Sequence, residues 1–393
     1  MEFYDFIDYK LNKTACESNY RQINFFIKNN SLPKIMIDDR EYLNFSSNDY
    51  LNLSSNKEII EEFNRANLKY GVGAKGSRLT SGSYDCHLEL ERKLAKLKNK
   101  ESALVYQSGY CANLGIFSAF DDKNICFFSD KLNHRSIVDG INLSKAEFKR
   151  FKHKDYKDLE KKLKISKAKI KIIITDGVFS MDGDICDLKK LIELKLRYKT
   201  LLAVDDAHGF MVLGKKGKGI YELFDLNEKL LDEVDIHIGT FSKAIGLTGG
   251  YIVSTKKIID YLINYSSAFI YSTALSPSNC KAIIKSIDIA KNMQAKRIKL
   301  KELCLYAKEK LQEEFEITNT KSTIIAIILK DSQLTLKYYE ELLKNKIYLK
   351  AIRPPSVQKN QSRLRVSITL AHSKADIDYL INMLKKIKKD LSS

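Results

Sequence analysis

Tryptophan is absent from the 393 residues, and arginine is scarce: 12 of the 67 basic side chains, the rest being lysine. Arg is the side chain suited to bidentate recognition of phosphates and base edges. Its scarcity argues against a dedicated nucleic-acid reader, even though 67 Lys and Arg against 49 Asp and Glu leave a formal net charge of +18. A Lys-dominated surplus reads first as a solvated basic surface, and second as a field that could guide an acidic partner. The seven cysteines (Cys16, Cys86, Cys111, Cys126, Cys186, Cys280, Cys304) include no CxxC pair and no Cys/His cluster at zinc spacing, so no metal is expected and the thiols read as reduced. No apolar run approaches the roughly 18 residues of a membrane span. The opening MEFYDFIDYKLNK also lacks the basic-then-apolar layout of a signal peptide. The expectation is a cytoplasmic protein with no membrane partner. What is present, 44% apolar and 30% charged residues with 21 Tyr and 18 Phe, excludes collagen-like and wholly disordered chains and supplies aromatic bulk for cores and stacking.

Residues 1–30 alternate in a helix-like way up to the KNNSLP breaker, so a leading helix and a turn are expected. A short strand pair follows near Lys34–Ile37 and Tyr42–Phe45, then a helix over Lys57–Lys69, a Gly-rich stretch from Gly71 to Gly82, and a second helix from His87. Beyond it, six β-rich runs (ALVY, ICFFSD, KIIITD, LLAVDD, VDIHIGT, GGYIVS) alternate with helical stretches. That is the sequence form of βαβ units, and it predicts a mostly parallel α/β sheet covered on both faces. Ligands of such sheets bind beyond the carboxyl ends of the strands. A Lys-rich helical stretch from Pro277 to about Glu314 has the length of an interdomain helix, and the tail reads as a small α+β domain. The expected division is 1–50, 51–280 and 281–393.

Gly71, Gly73 and Gly76 spell GxGxxG, but a helical segment precedes them where a dinucleotide site needs a strand, so a Rossmann site is rejected. The same loop, with Ser77, Arg78 and Ser81, remains a candidate for a mobile loop near an anion. GTFSK places Lys243 just past a buried-looking strand. A desolvated Lys is a usable amine nucleophile, but among 55 lysines position counts only if partners converge. At the end of another strand, LLAVDDAH supplies Asp205, Asp206 and His208. A carboxylate there suits the ring nitrogen of pyridoxal phosphate, which must stay protonated for the ring to act as an electron sink. Asp205 is the choice, with His208 placed to donate to the ring's phenolate oxygen. Three more strand ends add Ser180 beside a Gly-Asp turn, His134 as an aromatic that could stack on a cofactor ring, and the backbone N–H groups of Ser108, Gly109 and Tyr110 leading into a helix. That helix start is a natural phosphate seat.

With these residues in view, the chain resembles the α-oxoamine synthases, a family of fold-type I pyridoxal-phosphate enzymes. The resemblance covers nearly the whole length and rests on FSSNDYLNL, GSRLTSG followed by HLELERKLA, SGYCAN, HRSIVDG, VFSMDGD, VDDAHG, GTFSKAIGLTGG, FIYSTALSP and RPPSV…RLRVS, in order. It implies a large domain built on a mostly parallel seven-stranded sheet, and decarboxylative condensation of a small amino acid with an acyl thioester. By likeness, Lys243 would bond the cofactor and move the α-proton, Asp205 would pair with the pyridine nitrogen, and His134 would stack on the ring. Ser180 and His208 would hold the phenolate side. Thr240 with the backbone at 109 and 110 would hold phosphate, helped by Ser272 or Thr273 from a second subunit, which implies an obligate homodimer. Arg365 would bind the amino-acid carboxylate beside Asn48.

AIRPPSV, FSSNDYLNL and Arg21 most resemble members that join L-alanine to a pimeloyl thioester, carried by coenzyme A or an acyl carrier protein, in biotin synthesis. Arg21 and Ser356 would then face the acyl group. The glycine-using relatives, which usually differ at the RPP segment, are the alternative. The chain departs from the family pattern at Asn52, Met211 and Asn360, each where Gly is usual, and at Gln358, which replaces a Pro.

Overall fold

The computed structural model describes residues 2–21, 23, 27–224, 230 and 232–391. The chain divides into two compact units: residues 1–48, 181–184 and 299–393 form the first, residues 49–180 and 185–298 the second. In the first unit, α1 (Phe3–Cys16) precedes strands β1 (Ile27–Ser31), β2 (Lys34–Ile37) and β3 (Arg40–Asn44). The helix expected over residues 1–30 is thus shorter: α1 ends at Cys16, and β1 pairs antiparallel with β2. Residues 22 and 24–26 of that stretch lie outside the described residues.

The second unit begins with α2 (Lys57–Tyr70), α3 (Asp85–Lys98), β4 (Ser102–Tyr106), α4 (Gly109–Ala119), β5 (Ile125–Asp130), α5 (Arg135–Asn142) and β6 (Glu147–Phe151). It continues through α6 (Tyr156–Ile165), β7 (Ile170–Asp176), α7 (Leu188–Tyr198), β8 (Leu201–Asp205), β9 (Ile236–Thr240) and β10 (Gly250–Ser254). Helices α8 (Lys256–Tyr265), α9 (Ser267–Ile270) and α10 (Pro277–Lys291) follow, and α11 (Gln294–Gln312) carries the chain back into the first unit. Seven strands form one sheet in the order β4-β10-β9-β8-β7-β5-β6. Only β10 runs against its neighbours, so the mostly parallel seven-stranded sheet is present. Every residue of β5, β8-adjacent β9 and β10 is buried, as expected where helices cover both faces. The core is apolar and includes Phe117 against Phe127, edge to face at 5.6 Å.

The seventh strand, β6, escaped the six-run reading. Its sequence, EFKRF, pairs only with β5 at the sheet edge, and edge strands carry charge that hides them from a hydrophobicity scan. The long helix expected from Pro277 to Glu314 is two helices broken at Asn292 and Met293. Buried Arg297 explains the break: its guanidinium donates to the carbonyls of Ala290 (2.5 Å) and Lys291 (3.3 Å), satisfying the last turn of α10. Helix α10 buries Cys280, Ile283 and Ile287 within the second unit, so the unit boundary falls at 298/299 where 280/281 was expected.

The rest of the first unit comprises β11 (Ile324–Lys330), α12 (Ser332–Lys344), β12 (Ile347–Tyr348), β13 (Ala351–Ile352), β14 (Ser362–Ser367) and α13 (Lys374–Asp390). Strand β12 pairs parallel with β3, Ile347 opposite Leu43, which joins the two chain ends that the sequence reading separated. The MDGD turn belongs here too: Thr318 and Thr320 donate to the carbonyls of Asp182 and Gly183. Asn52, Met211 and Asn360 all adopt the left-handed conformation (φ 54°, 61° and 60°), so the backbone keeps the conformation for which Gly is usual. Asn tolerates it, whereas Met211 costs roughly 1–2 kcal/mol.

His372 ties the end of β3 to the segment after β14. Its Nδ1 accepts from the Thr369 N–H at 3.0 Å, its Nε2 donates to the Asn44 carbonyl at 3.0 Å, and its ring stacks on Phe45 at 4.4 Å. Burial pushes its pKa down to about 4. In the unfolded chain it titrates near 6.5, so between about pH 4 and 6.5 the unfolded state binds a proton that the folded state refuses. This contribution to stability is complete above about pH 6.5 and is lost as pH falls toward 4. His372→Gln should therefore flatten the fall of melting temperature between about pH 6.5 and 4.5 relative to the parent. Equal slopes would refute the assignment.

Candidate active site

The carboxyl ends of the parallel strands in the second unit carry a row of polar groups. Asp130 ends β5, Asp176 ends β7, Asp205 ends β8 and Thr240 ends β9. Asp205 is buried, and its two oxygens accept from different donors: Oδ1 from the Ala207 N–H at 3.0 Å and Oδ2 from the Asn113 amide at 2.7 Å. His134 caps α5 and donates its backbone N–H to Asp176 Oδ2 at 3.1 Å, while its Nδ1 faces the Ser136 hydroxyl at 2.7 Å. His134 is exposed by area, but the protein crowded around the imidazole desolvates it and lowers its pKa, with the Asp205 carboxylate opposing and the Lys243 charge adding to that effect. Asp176 is pushed up, by burial first and the Asp205 charge second, against the pull of Lys243. Lys243, Asp205, His134 and Asp176 thus lie within one another's fields.

His208, three residues beyond Asp205, is buried with its Nδ1 2.7 Å from the Tyr50 hydroxyl. With that hydroxyl donating, the imidazole N–H sits on Nε2. Ser180 is half-buried, four residues beyond the end of β7. Ser108 caps α4 by accepting from the Cys111 N–H at 3.1 Å, and Gly109 and Tyr110 open the helix. The backbone there is tight: a Cβ on Gly250 would stand 2.3 Å from the Ser108 carbonyl, and one on Gly109 would stand 3.0 Å from the Thr240 Cβ. Thr240 itself donates to the Gly249 carbonyl at 2.8 Å, and its oxygen accepts from the Ser242 N–H at 3.2 Å. The exposed neighbour Ser242 lies 3.0 Å away. Thr273 pairs with Ser77 in an isolated bridge, and Ser272 is beside it.

In the first unit, Arg365 donates from both Nη1 and Nη2 to Asn48 Oδ1 at 3.2 Å, and from Nη1 to Ser367 at 2.9 Å. Its neighbour on the same strand face, Arg363, is committed to Asp182 at 2.5 Å. Arg21 Nη2 donates to the Ser356 hydroxyl at 3.2 Å and to the Pro354 carbonyl at 3.4 Å. Arg365 with Asn48, and Arg21 with Ser356, are thus neighbours within the first unit.

The loop of residues 71–82 is corrected on one point. Arg78 is not poised for an anion: it forms a bidentate pair with buried Glu91 at 2.7 and 3.1 Å, and Glu91 also accepts from the Val105 N–H. A fully paired guanidinium has no charge to spare for a ligand. Folding also gathers Cys86, His87 and Cys280, which no sequence spacing could show. Both nitrogens of His87 are engaged, with the Tyr84 N–H and the Leu275 carbonyl, so a metal there would have to break one of those bonds.

Four site contributors had no role in the sequence reading: Tyr50, Asn113, Ser136 and Asp176. Tyr50 and Asn113 stand inside FSSNDYLNL and SGYCAN, so their presence was visible and their partners were not. The set suits pyridoxal phosphate: an amine, a buried acid, an imidazole and a helix start within one unit. Among the described residues, buried Asn113 Oδ1 and Asp176 Oδ1 have no hydrogen-bond partner, as expected beside a polar ligand.

A seven-stranded sheet with these groups on its carboxyl edge defines a fold-type I pyridoxal-phosphate enzyme. The family model for aminotransferase class I and II matches residues 40–384. Among curated relatives, the 8-amino-7-oxononanoate synthase of Lysinibacillus sphaericus is 39% identical over 94% of this chain and 95% of its own. That of Thermoanaerobacter pseudethanolicus is 39% identical over 99% and 98%. Among solved structures, serine palmitoyltransferase from S. paucimobilis with a bound PLP–myriocin aldimine superposes with a TM-score of 0.92 at 27% identity, covering 99% of this chain and 98% of that one. An 8-amino-7-oxononanoate synthase from Francisella tularensis gives 0.75 at 32%, covering 89% and 98%. The chain belongs to the 8-amino-7-oxononanoate synthase family of α-oxoamine synthases, acyltransferases that use pyridoxal phosphate. Among the described residues, no helix is long and apolar enough to cross a membrane.

Proposed function

We propose that this chain condenses L-alanine with a pimeloyl thioester, releasing CO2 and the thiol and forming 8-amino-7-oxononanoate for biotin synthesis. The observation that carries the reading is identity of about two residues in five with synthases of that name over almost the full length. When bound, pyridoxal phosphate supplies an electron sink for charge developing at the amino acid's α-carbon. Lys243 would hold the cofactor and would move the α-proton. Asp205 would pair with the pyridine nitrogen and keep it protonated; the Ala207 N–H and the Asn113 amide hold its carboxylate. His134 would lie against the cofactor, and His208, oriented by Tyr50, would hold it together with Ser180.

The backbone at Ser108, Gly109 and Tyr110 seats the phosphate, with Thr240, and with Ser272 and Thr273 reaching across a homodimer. Support for a second copy comes from apolar side chains left open in each unit. Leu68, Val72 and Tyr271 are 91, 83 and 84% exposed, and α1 buries none of its residues. Large apolar side chains exposed to this degree are consistent with burial against a second copy. Arg365, held by Asn48 and Ser367, binds the alanine carboxylate, a task suited to a planar bidentate donor. Arg21 and Ser356 face the acyl chain. The basic surface leaves room for an acidic acyl carrier protein as donor, in place of coenzyme A, by electrostatic steering.

The test is the protein saturated with pyridoxal phosphate, given alanine, glycine or serine and then pimeloyl thioester. Alanine should perturb the cofactor's absorbance and release CO2 with the fastest turnover. A clear preference for glycine would overturn the assignment in favour of a ligase or synthase that uses that amino acid.

A further inference from the structure

Between the acid and the imidazole lie Asn113, which above serves only to hold the Asp205 carboxylate, and Ser136, which has no part in the reading above. Asn113, on α4, donates through Nδ2 both to Asp205 Oδ2 at 2.7 Å and to the Ser136 hydroxyl at 2.9 Å. Ser136, in the first turn of α5, stands 2.7 Å from His134 Nδ1 through its hydroxyl and 3.3 Å through its backbone N–H. Asn113 and Ser136 are buried. The direction of every proton in this chain follows from its first member. An ionised carboxylate only accepts, so Asn113 must turn its amide nitrogen, not its oxygen, toward Asp205. The second hydrogen of that nitrogen then occupies a lone pair of the Ser136 oxygen. Ser136 has one hydroxyl proton, and it goes to His134 Nδ1. With two donors aimed at it, Nδ1 must be unprotonated, and the ring's proton is on Nε2.

We propose that Asn113 and Ser136 form a positioning relay that ties the tautomer of His134 to the charge on Asp205, holding the imidazole neutral beside the cofactor ring. The inference rests on the proposed roles of Asp205 and His134. Its physical sense is that a ring paired with Asp205 carries a protonated nitrogen, and an imidazolium stacked on it would place two cations face to face. The charged groups acting on His134 are Asp205 from β8, Lys243 after β9 and Asp139 from α5, with Asp176 from β7 at its backbone N–H. Lys243 and burial push it the same way as the relay. Among the described residues Asn113 Oδ1 has no hydrogen-bond partner, so within the protein the two bonds that its Nδ2 donates are what orient the amide.

The experiment is long-range 1H–15N correlation of the full chain labelled with 15N-histidine, with and without pyridoxal phosphate, the His134 signals assigned through His134→Asn. In the parent, Nε2 should be protonated and Nδ1 bare from about pH 6 to 8. In Asn113→Ala the Ser136 oxygen is freed to accept, and the Nε2-H to Nδ1-H ratio should fall about fivefold or more, the factor supported by one hydrogen bond. Ser136→Ala should lower it as well, whereas Ser136→Thr, which keeps the hydroxyl, should preserve it. Protonated Nδ1 in the parent, or an Asn113→Ala protein that loses thermal stability with no tautomer change, would overturn the relay. Should Asn113→Ala not fold, the parent spectrum and the two Ser136 variants decide. Addition of cofactor tests the underlying reading separately. A His134 resonance that does not move on binding refutes its place beside the ring while leaving the tautomer result intact.

Discussion

Lys243→Ala should abolish the absorbance of covalently held pyridoxal phosphate and lower kcat by about 10^3-fold or more, the upper part of the range for a lost proton-transfer group. Three functions would disappear together: the bond to the cofactor, transfer of the α-proton, and a positive charge that acts on His134 and Asp176. Lys243 is half-buried and lies in the turn after β9, so its truncation should leave the sheet and the circular dichroism spectrum unchanged. Without that charge, the effect of burial and of Asp205 on Asp176 is opposed less, the His134 N–H still bonding the carboxylate, so the carboxyl should move further up. Turnover retained by a folded Lys243→Ala protein with no such absorbance would sink the assignment of this lysine.

Asp205→Asn should be nearly as damaging, by a different route. An opposite charge within hydrogen-bond reach shifts a partner's pKa by roughly 1–3 units. Its removal therefore costs roughly ten- to a thousandfold in the protonated form of the pyridine nitrogen, and kcat should drop by about 10^2-fold. The structure adds a second penalty. The carboxylate satisfies the Ala207 N–H with one oxygen and the Asn113 amide with the other. An asparagine has a single oxygen, so one of those buried donors must lose its acceptor, at a cost of about 1–3 kcal/mol. Cofactor affinity, measured by spectroscopic titration, should weaken along with kcat. Unchanged kcat at saturating cofactor would show that Asp205 is not the acid under the ring.

The fold class and the candidate residues at the strand ends were legible before folding because they are written in local patterns. Buried parallel strands appear as short apolar runs such as ICFFSD and LLAVD, and the residues that leave their carboxyl ends, Asp205, His208 and Lys243, follow immediately in the chain. Where the pattern is not local, the reading failed. Strand β6 is charged because it lies at an edge. The break between α10 and α11 depends on Arg297 turning back onto the Ala290 carbonyl. Arg78 looked available for an anion until Glu91, on the following helix, claimed both ends of its guanidinium.

By itself, then, the amino-acid sequence determined the α/β class, the strand-end positions of the amine, the acid and the imidazoles, and the kinship that gives them a reaction. Which partner each of them holds was decided only in three dimensions. Asn113 reaches Asp205 across 92 residues, Tyr50 reaches His208 across 158, and Asn48 reaches Arg365 across 317. The difference between Arg363 and Arg365, two like residues on one strand, exists only because Asp182 folds against the first and Asn48 against the second. Hydrophobic periodicity acts between residues a few positions apart and can be read along a chain. A hydrogen bond requires two atoms within about 3 Å, and only the packed sheet and helices bring such distant atoms that close.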